Sequence, residues 1–329
     1  MEESDRRPVA PYQGGGDAPS SPPPPQPRRV SLDAVVSGLL AAGASDPIGR
    51  ASRRNMPSLQ RVRTFLRLIR GVLLPGHDGP AAPAGCRYRL GETLTQAQAL
   101  LLDEAVLALA AVAEHPEECA HCRDRAQAIA ADFLDALPGV RRLVGSDVEA
   151  AFRGDPALTS PDEAILCSPG VAAVASQRLA HVLHRLGLPL VPRMMTEAAH
   201  AETGTDIHPG ASLGERLFID HGTGVVIGET AVVGKGVRIY QGVTLGARSF
   251  RLDEHGDPVK GLPRHPIIED EVVIYSGASV LGRITIGRGS VIGGSVWVTR
   301  SLPPGTIVTQ QRKGQGEGGR REVSGAGEP

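Results

Sequence analysis

Two short segments carry the side chains that could transfer a proton and hold a charged substrate in this chain of 329 residues. Asp220 and His221 are adjacent in "FIDHGTGVVIGET", and Arg264 and His265 are adjacent in "LPRHP". Histidine is the side chain best suited to act as a general base near neutral pH, and arginine can bind a carboxylate through two parallel hydrogen bonds. A lone histidine on a turn is more often simply solvated than functional. The residues around these segments must therefore show whether His221 and His265 are functional or merely exposed to solvent.

The elements that position these residues follow from a period of six. Aliphatic residues recur in this frame at Ile207, Leu213, Ile219, Ile227, Val233, Ile239, Leu245, Ile268, Ile274, Val280, Ile286, Ile292 and Val298. An amphipathic helix has a period of 3.6 and a strand a period of 2, so neither explains the pattern. A hexapeptide repeat is typical of a parallel β-helix, in which each unit forms a short strand and a turn and three units close a triangular coil. We therefore expect a β-helix over residues 205–302.

The frame is interrupted twice. Ile219 and Ile227 are eight residues apart, which places a two-residue insertion in the segment that contains His221. Leu245 and Ile268 are separated by a polar, proline-rich segment that ends in "RHP", and its residues 248–262 are predicted to form an external loop. Interruptions of a repeat scaffold lie outside its core, where function is concentrated. Both interruptions carry histidine, which favours functional roles for His221 and His265.

Residues 31–204 are predicted to form an α-helical domain. One helical face is defined by residues spaced three or four apart in "LQRVRTFLRLIRGVLLPG", namely Leu59, Val62, Leu66, Ile69 and Leu73. Similar spacing predicts helices in "TQAQALLLDEAVLALAAVAEH" and after Pro169-Gly170, and a short fourth helix is expected in "MMTEAAHAE". The Pro-rich residues 1–30 and the Gly-rich residues 303–329 contain too few apolar side chains to order themselves, so we expect a disordered arm and a flexible tail.

Composition excludes several classes of function. Lys and Arg number 35 against 36 Asp and Glu, and aromatic residues make up only 3%, so neither a nucleic-acid groove nor a base-stacking platform is expected. Four cysteines are too few for a disulfide framework, and "CAHC" (Cys119 to Cys122) lacks the second pair of a zinc site, so reduced thiols and no metal are expected. No apolar signal or spanning segment is evident, which predicts a cytoplasmic protein without a membrane partner.

Three motifs, "DIHPGA", "IDHGTGVVIGET" and "QGVTLG", together with "RHP", resemble those of bacterial serine O-acetyltransferases over about residues 150–305. The resemblance implies an α + β chain in which an N-terminal α-helical domain precedes a left-handed parallel β-helix. It implies transfer of an acetyl group from acetyl-CoA to L-serine, the first step of cysteine biosynthesis. Such enzymes assemble as homotrimers, often paired into hexamers as dimers of trimers, with active sites between neighbouring β-helices.

The resemblance also assigns roles to matching positions. A serine hydroxyl is a weak nucleophile until its proton is removed, and the resemblance implies His221 as the base and Asp206 as the carboxylate that orients it. These two residues are fifteen apart, slightly less than a coil of about 18 residues, so we expect them close together on adjacent coils. The implied holders of the serine zwitterion are Asp155 and Asp220 for the ammonium, with Arg264 and His265 for the carboxylate. The implied positions along coenzyme A are Gly246, Ala247, Ser276 and Gly294.

Two departures from the family pattern affect these expectations. Ala247 stands where many members have a second glycine. Many members end in an isoleucine that docks into O-acetylserine sulfhydrylase, whereas this chain ends in Glu328-Pro329, so that complex is not expected.

Three other functions stay open at this point. Acetyl transfer to another hydroxyl, on homoserine, a sugar or a xenobiotic, uses the same fold, but the charged set of Asp155, Asp220 and Arg264 suits an α-amino acid better than a sugar. A β-helix carbonic anhydrase would need three histidine ligands around zinc. A non-catalytic assembly protein would have no use for both Asp206 and His221.

Overall fold

The computed structural model of the protein describes residues 30–42, 55–78, 87–113 and 120–310. The chain divides into two units, Met1–Arg53 and Arg54–Pro329. The described part of the first unit is one helix, α1 (Leu32–Ala42), all of whose side chains are exposed. The predicted N-terminal arm, apart from Val30, and residues 311–329 of the predicted tail lie outside the described residues.

The described part of the second unit begins with six helices, whose bounds are α2 (Leu59–Leu73), α3 (Arg87–Val112), α4 (Ala120–Gly154), α5 (Pro161–Cys167), α6 (Pro169–Arg185) and α7 (Val191–Thr203). Three begin after a serine whose hydroxyl accepts a hydrogen bond from the backbone N–H three residues later: Ser58 for α2, Ser160 for α5 and Ser168 for α6. Proline at the first position supports α5 and α6, since its missing N–H has no partner there in any case. The four predicted helices are confirmed as α2, α3, α6 and α7.

α4 is the longest described helix and has no counterpart among the predicted ones. Its buried side chains are spaced three or four residues apart, at Ile129, Phe133, Leu137, Val140, Val144 and Val148. Pro138, Gly139 and Gly145 lie within it, and these residue types disfavour a helix interior. Packing against α3 and α6 outweighs that local preference. This matters for the site because Asp155 follows directly after α4.

α3 is long and apolar enough, by length and composition alone, to cross a membrane. One of its faces is nevertheless buried in the helical core, through Ala97, Leu101, Ala105 and Ala108, where α3 packs against α2 and α4. An apolar core helix passes the same length and composition test.

The prediction of reduced thiols is wrong at Cys122. This residue is buried in α4 and is disulfide-bonded. Cys167 is a free, exposed thiol at the end of α5. Cys86 and Cys119 lie outside the described residues. A low cysteine count describes the composition of the chain and cannot determine whether a particular pair of thiols is close enough to oxidise.

Short parallel strands follow the helices, with bounds β1 (Asp206–Ile207), β2 (Ser212–Leu213), β3 (Phe218–Ile219), β4 (Val226–Ile227), β5 (Val232–Val233), β6 (Arg238–Ile239), β7 (Thr244–Gly246), β8 (Ile267–Ile268), β9 (Val273–Ile274), β10 (Ser279–Leu281), β11 (Thr285–Ile286), β12 (Val291–Ile292), β13 (Trp297–Val298) and β14 (Ile307–Val308). Every third strand from β1 to β13 belongs to the same sheet. We call the sheets A (β1-β4-β7-β10-β13), B (β2-β5-β8-β11) and C (β3-β6-β9-β12-β14). This is the predicted triangular coil, and β14 continues it beyond the expected domain end at residue 302.

All thirteen aliphatics of the six-residue frame lie on these strands. They are buried inside the coil except Leu213, which is half-buried and packs against the others. A regular coil is eighteen residues long, as in the pairing of Ile227 with Leu245. The first coil is longer, because Ile207 pairs with Ile227. The pairing of Val233 with Ile268 accommodates the second interruption, so both predicted insertions leave the core frame intact.

A buried ion pair joins the helices to the first coil. Arg178 of α6 donates two hydrogen bonds to Asp147 of α4, at 2.7 and 2.8 Å. The same guanidinium donates to the carbonyl oxygens of Leu213 and Gly214, at 3.1 and 2.6 Å. Asp147 also accepts from the backbone N–H of Leu217 at 3.0 Å. The helices are therefore fastened to the coil next to the strand that precedes His221.

Candidate active site

His221 and Gly222 are the two inserted residues. The N–H of Asp220 donates to the carbonyl of Ile239 at 2.9 Å, and the N–H of Gly242 donates to the carbonyl of Thr223 at 2.9 Å. The ladder between the coils therefore stops at Asp220 and resumes at Thr223, and the two residues between them form a bulge. Both have positive φ angles, 56° at His221 and 79° at Gly222. A non-glycine residue there is uncommon and strained, which is typical of functional positions.

The bulge lies in the turn from β3 to β4, where sheet C meets sheet A. We call the series of turns from sheet C to sheet A the His221 edge. The His221 side chain is 71% exposed, and its Nε2 lies 4.0 Å from Oδ1 of Asp220. The hydroxyl of Thr205 donates to the carbonyl of Gly222 at 3.0 Å and anchors the bulge from below. The imidazole is thus held outside the core on a rigid frame.

Glycine at position 170 allows α6 to approach this bulge closely. A Cβ at that position would lie 2.0 Å from the carbonyl oxygen of Ile219, well inside van der Waals contact. The first turn of α6 therefore supports the end of β3, immediately before Asp220. Only a residue without a side chain fits between the helix and the strand.

The structure brings Asp155 to the same edge. Gly154, the last residue of α4, packs on Phe218 of β3, where a Cβ would lie 2.6 Å from the Phe218 ring. Burial raises the pKa of Tyr240, and the charges of Asp220 and Asp155 add to the rise, so both carboxylates lie near this phenol. Tyr240 in turn stacks on Tyr275 with ring centroids 5.1 Å apart. The two carboxylates predicted to bind the ammonium are therefore grouped with His221.

Asp206 begins β1, and its register places it opposite Val226, at the start of the strand that follows the His221 turn. Its Oδ1 lies 3.5 Å from Nη1 of Arg193 on α7. The neighbouring Thr205 is the residue that contacts the bulge. Asp206 is thus near the base by backbone position, while its carboxylate faces Arg193. The pairing of Asp206 with His221 stays a prediction.

Arg264 and His265 lie in the link from β7 to β8, where sheet A meets sheet B. We call the turns from sheet A to sheet B the Arg264 edge. Nη2 of Arg264 lies 2.7 Å from Oε2 of Glu229, which follows β4 on the same edge. His265 is 6% exposed, and its Nδ1 accepts a hydrogen bond from the N–H of Thr230 at 3.0 Å. Arg264 and His265 are therefore held in place by the segment "GET" (residues 228–230) of the preceding coil.

Burial, together with the positive charge of Arg264, lowers the pKa of His265 to about 4. The imidazole is therefore neutral in the folded protein near pH 7, and this has a consequence for stability. An unfolded histidine titrates near pH 6.5, so between about pH 6.5 and 4 the unfolded chain binds more protons than the folded one. The stabilisation is complete above about pH 6.5 and is lost as the pH falls towards 4.

We expect the free energy of unfolding to fall by about 1–3 kcal/mol more in the wild type than in His265→Gln when the pH is lowered from 7.5 to 4.5. Urea titrations at several pH values measure it, and the difference between the two proteins isolates His265 from the other histidines. Parallel pH profiles for the two proteins would contradict a neutral, buried His265.

The predicted coenzyme A positions divide between the two edges. Gly246 is the last residue of β7, and Ala247 follows it on the Arg264 edge. Ser276 and Gly294 lie on the His221 edge, where the N–H of Ser295 donates to the carbonyl of Ser276 at 2.8 Å. Within one chain, then, the structure groups His221 with Asp155 and Asp220 on one edge. It places Arg264 and His265 on another.

Glu229, Thr230 and Gly228 contribute contacts to the site that sequence reasoning did not assign. Their partners Arg264 and His265 lie about one long coil away, 34 to 37 positions along the chain. The sequence offered one signal for these contacts. Glu229 and Thr230 form a polar pair in a turn position that small residues usually occupy. The six-residue frame locates such a pair on a turn but does not reveal its partner. Nδ1 of His208 accepts a hydrogen bond from the N–H of Gly210 at 3.0 Å.

The chain is similar to known proteins in both sequence and structure. No protein-family model matches the chain. A plasmid-encoded serine acetyltransferase of Synechococcus elongatus is 47% identical over 293 residues, which cover 86% of this chain and 92% of the relative. A crystal structure of serine acetyltransferase isoform 3 from Entamoeba histolytica, in complex with cysteine, superposes with a TM-score of 0.65 at 35% identity and covers 86% of this chain and 94% of that one.

A third protein, the serine acetyltransferase of Brucella abortus in complex with coenzyme A, matches with a TM-score of 0.50 at 27% identity over 84% of this chain and 85% of that one. The matches to the solved structures include both the helices and the strands. They agree with the predicted fold class, an α-helical region followed by a left-handed parallel β-helix. Identity of 47% across nearly the whole length of a curated relative is far above the level at which only the fold is shared. The chain belongs to the serine acetyltransferase family.

Proposed function

We propose that this chain transfers the acetyl group of acetyl-CoA to the hydroxyl of L-serine and releases O-acetyl-L-serine and coenzyme A. The observation that carries the proposal is the two-residue bulge, which holds His221 outside the coil beside the carboxylates of Asp220 and Asp155. Relatives named serine acetyltransferase, one of them solved with coenzyme A and one with cysteine, support the same acyl donor and an amino-acid acceptor.

The geometry suits direct transfer without an acyl-enzyme intermediate. Asp155 and Asp220 would bind the serine ammonium and place the hydroxyl next to His221. As the hydroxyl oxygen attacks the thioester carbonyl, the imidazole would remove its proton. The tetrahedral intermediate then collapses with loss of the coenzyme A thiolate, and the imidazolium returns the proton to the sulfur. The exposed imidazole is free to accept and return this proton.

A free-thiol assay identifies the acetyl acceptor. It supplies acetyl-CoA together with L-serine, L-homoserine or a sugar and measures the coenzyme A thiol that is released. We expect thiol release with L-serine and at least about tenfold less with L-homoserine, because one extra methylene moves the hydroxyl away from His221 while the charged groups stay fixed. Equal release with a sugar would refute the amino-acid assignment, since Asp155, Asp220 and Arg264 would then have no partner.

We also propose that Asp206 orients His221 during the reaction. Its Arg193 contact at 3.5 Å is a long, partly exposed ion pair, which a competing imidazolium can replace. Asp206→Asn is expected to lower kcat more than it raises KM for serine, because the carboxylate stabilises an imidazolium formed only in the transition state. Glu197→Gln, which removes another acidic partner of Arg193, is the matched control. An unchanged kcat in Asp206→Asn would exclude the dyad.

The division of the site between two edges supports assembly of this chain as a homotrimer. The His221 edge of one chain would face the Arg264 edge of the next, so that the two halves of the serine site meet. The coenzyme A positions divide in the same way, with Gly246 and Ala247 from one chain and Ser276 and Gly294 from its neighbour. Pairing of two trimers through the helices into a hexamer is the further assembly that the family resemblance implies.

Subunit mixing tests the shared site. His221→Ala and Arg264→Ala should each be nearly inactive at serine concentrations below KM. In trimers assembled at random from equal amounts of both, about a quarter of the interfaces pair an intact His221 with an intact Arg264. Co-expressed trimers purified by both tags are all mixed, and each has one intact interface out of three, so we expect them to recover about a third of the wild-type rate. Mixed trimers as inactive as their parents would place the whole serine site within one chain.

A further inference from the structure

We propose that Thr230 is a positioning residue that fixes His265 in the neutral tautomer with Nδ1 as acceptor and Nε2 as the N–H donor. His265 would then meet the substrate carboxylate as a directed hydrogen-bond donor and not as a second cation beside Arg264. The inference rests on the proposed function only for the identity of the group that Nε2 meets. The tautomer itself follows from contacts within the chain.

The hydrogen bonds around Nδ1 determine the tautomer. The backbone N–H of Thr230 points at Nδ1 of His265 from 3.0 Å, and a backbone N–H can only donate. Nδ1 must therefore present its lone pair. In a neutral imidazole one nitrogen is the acceptor and the other carries the hydrogen, so the hydrogen lies on Nε2.

The hydroxyl of Thr230 leads to the same assignment. Its oxygen accepts from the backbone N–H groups of Arg264 at 2.9 Å and of His265 at 3.1 Å. These two bonds occupy both lone pairs, which leaves the hydroxyl hydrogen for Nδ1 of His265 at 2.9 Å. A proton on Nδ1 would face two donors at once, so the imidazolium cannot form without breaking this arrangement.

The ring is also fixed from its other side. A Cβ at Gly228 would lie 2.1 Å from Cδ2 of His265 and 2.2 Å from Nε2, so the imidazole packs directly against that glycine. Arg283 donates to the carbonyl oxygens of Thr230 at 2.7 Å and of His265 at 3.0 Å, which holds the two segments together. The threonine and the histidine therefore keep a fixed relation although they belong to different coils.

The charged groups that face His265 favour the neutral form. Burial is the largest effect, and the cations of Arg264 and Arg283 together with His208 oppose a further positive charge. Glu229 is the acidic group that faces the ring, and its carboxylate is already paired with Arg264 at 2.7 Å. Arg264 and His265 would thus have different roles: Arg264 supplies the positive charge, and His265 supplies one oriented N–H.

This arrangement has a consequence for the reaction. A neutral donor with a low pKa does not change its charge between about pH 5 and 8, so serine binding at this edge would not titrate there. The acidic limb of kcat/KM would then contain no contribution from His265.

Nitrogen NMR of the full-length protein, labelled with ¹⁵N-histidine and without substrate, tests the tautomer directly. The His265 signals are assigned by their loss in His265→Gln. We expect an unprotonated Nδ1 and a protonated Nε2 at pH 7, both unchanged down to about pH 5. A protonated Nδ1, or an imidazolium at pH 7, would overturn the proposal. Because no substrate is present, this result does not depend on whether the proposed acetyl transfer is correct.

Thr230→Val tests the positioning role, since it removes the hydroxyl and keeps the shape. We expect the pKa of His265 to rise by about one unit and KM for serine to rise about tenfold, with kcat changed less than about threefold. Thr230→Ser, which returns the hydroxyl, should bring the pKa of His265 and the KM for serine most of the way back to their wild-type values. Thr64→Val on α2 is the matched control. An unchanged tautomer, pKa and KM in Thr230→Val would overturn the role of the threonine, even if the wild type shows the expected tautomer.

Discussion

Replacement of His221 by alanine is expected to lower kcat for acetyl transfer to L-serine at least about 10²-fold, the loss expected on removal of a general base. The bulge presents this imidazole outside the coil, and Asp220 and Asp155 lie on the same edge. Alanine has no group that can take the hydroxyl proton, so the nucleophile stays in its weakly reactive protonated form. Release of free thiol from acetyl-CoA measures the rate, with the thermal midpoint recorded to show that the variant is folded.

His255→Ala is the control for this prediction. His255 is an exposed histidine on the external loop, and its only described ion-pair partner is the adjacent Glu254. Its loss should leave the rate within about twofold of the wild type, as is usual for a surface substitution away from the site. A His221→Ala variant that is folded and as active as His255→Ala would exclude His221 as the base.

Replacement of Asp147 by alanine is expected to destabilise the chain by about 3–5 kcal/mol, the usual cost of breaking a buried ion pair by removing one partner. Asp147 and Arg178 are both buried, and the carboxylate also holds the backbone of Leu217 before β3. Without it, the guanidinium of Arg178 stays buried with its charge uncompensated. Urea unfolding of the full chain measures the loss.

Two further variants separate this effect from a general sensitivity of α4. Glu149→Ala removes an exposed partner of Arg153 two residues along the same helix and should cost less than about 1 kcal/mol. The double variant Asp147→Leu/Arg178→Met removes both charges and should recover much of the stability lost in Asp147→Ala. A cost of less than 1 kcal/mol in Asp147→Ala would show that the pair does not fasten the helices to the coil.

A large part of the β-helix was predictable from the sequence, for a physical reason. The inward positions of a hexapeptide coil admit only side chains of nearly constant shape, so the aliphatic frame survives both interruptions. Counting residues between Ile219 and Ile227 located the bulge without any coordinates. The two edges could have been assigned in the same way, because His221 follows the third unit and Arg264 follows the seventh. The helices were less predictable, since Pro138, Gly139 and Gly145 conceal the apolar spacing of α4.

By itself, then, the sequence determined the repeat, its two interruptions and the residue types placed at them, because a buried period of six constrains every coil in the same way. Only the tertiary structure decided which side chains meet. The contact of Thr230 with His265, the ion pair of Asp206 with Arg193 and the delivery of Asp155 by the end of α4 each join residues that are distant in the chain or lie on different elements. Such contacts depend on the direction of turns and helices, which the hydrophobic period does not encode.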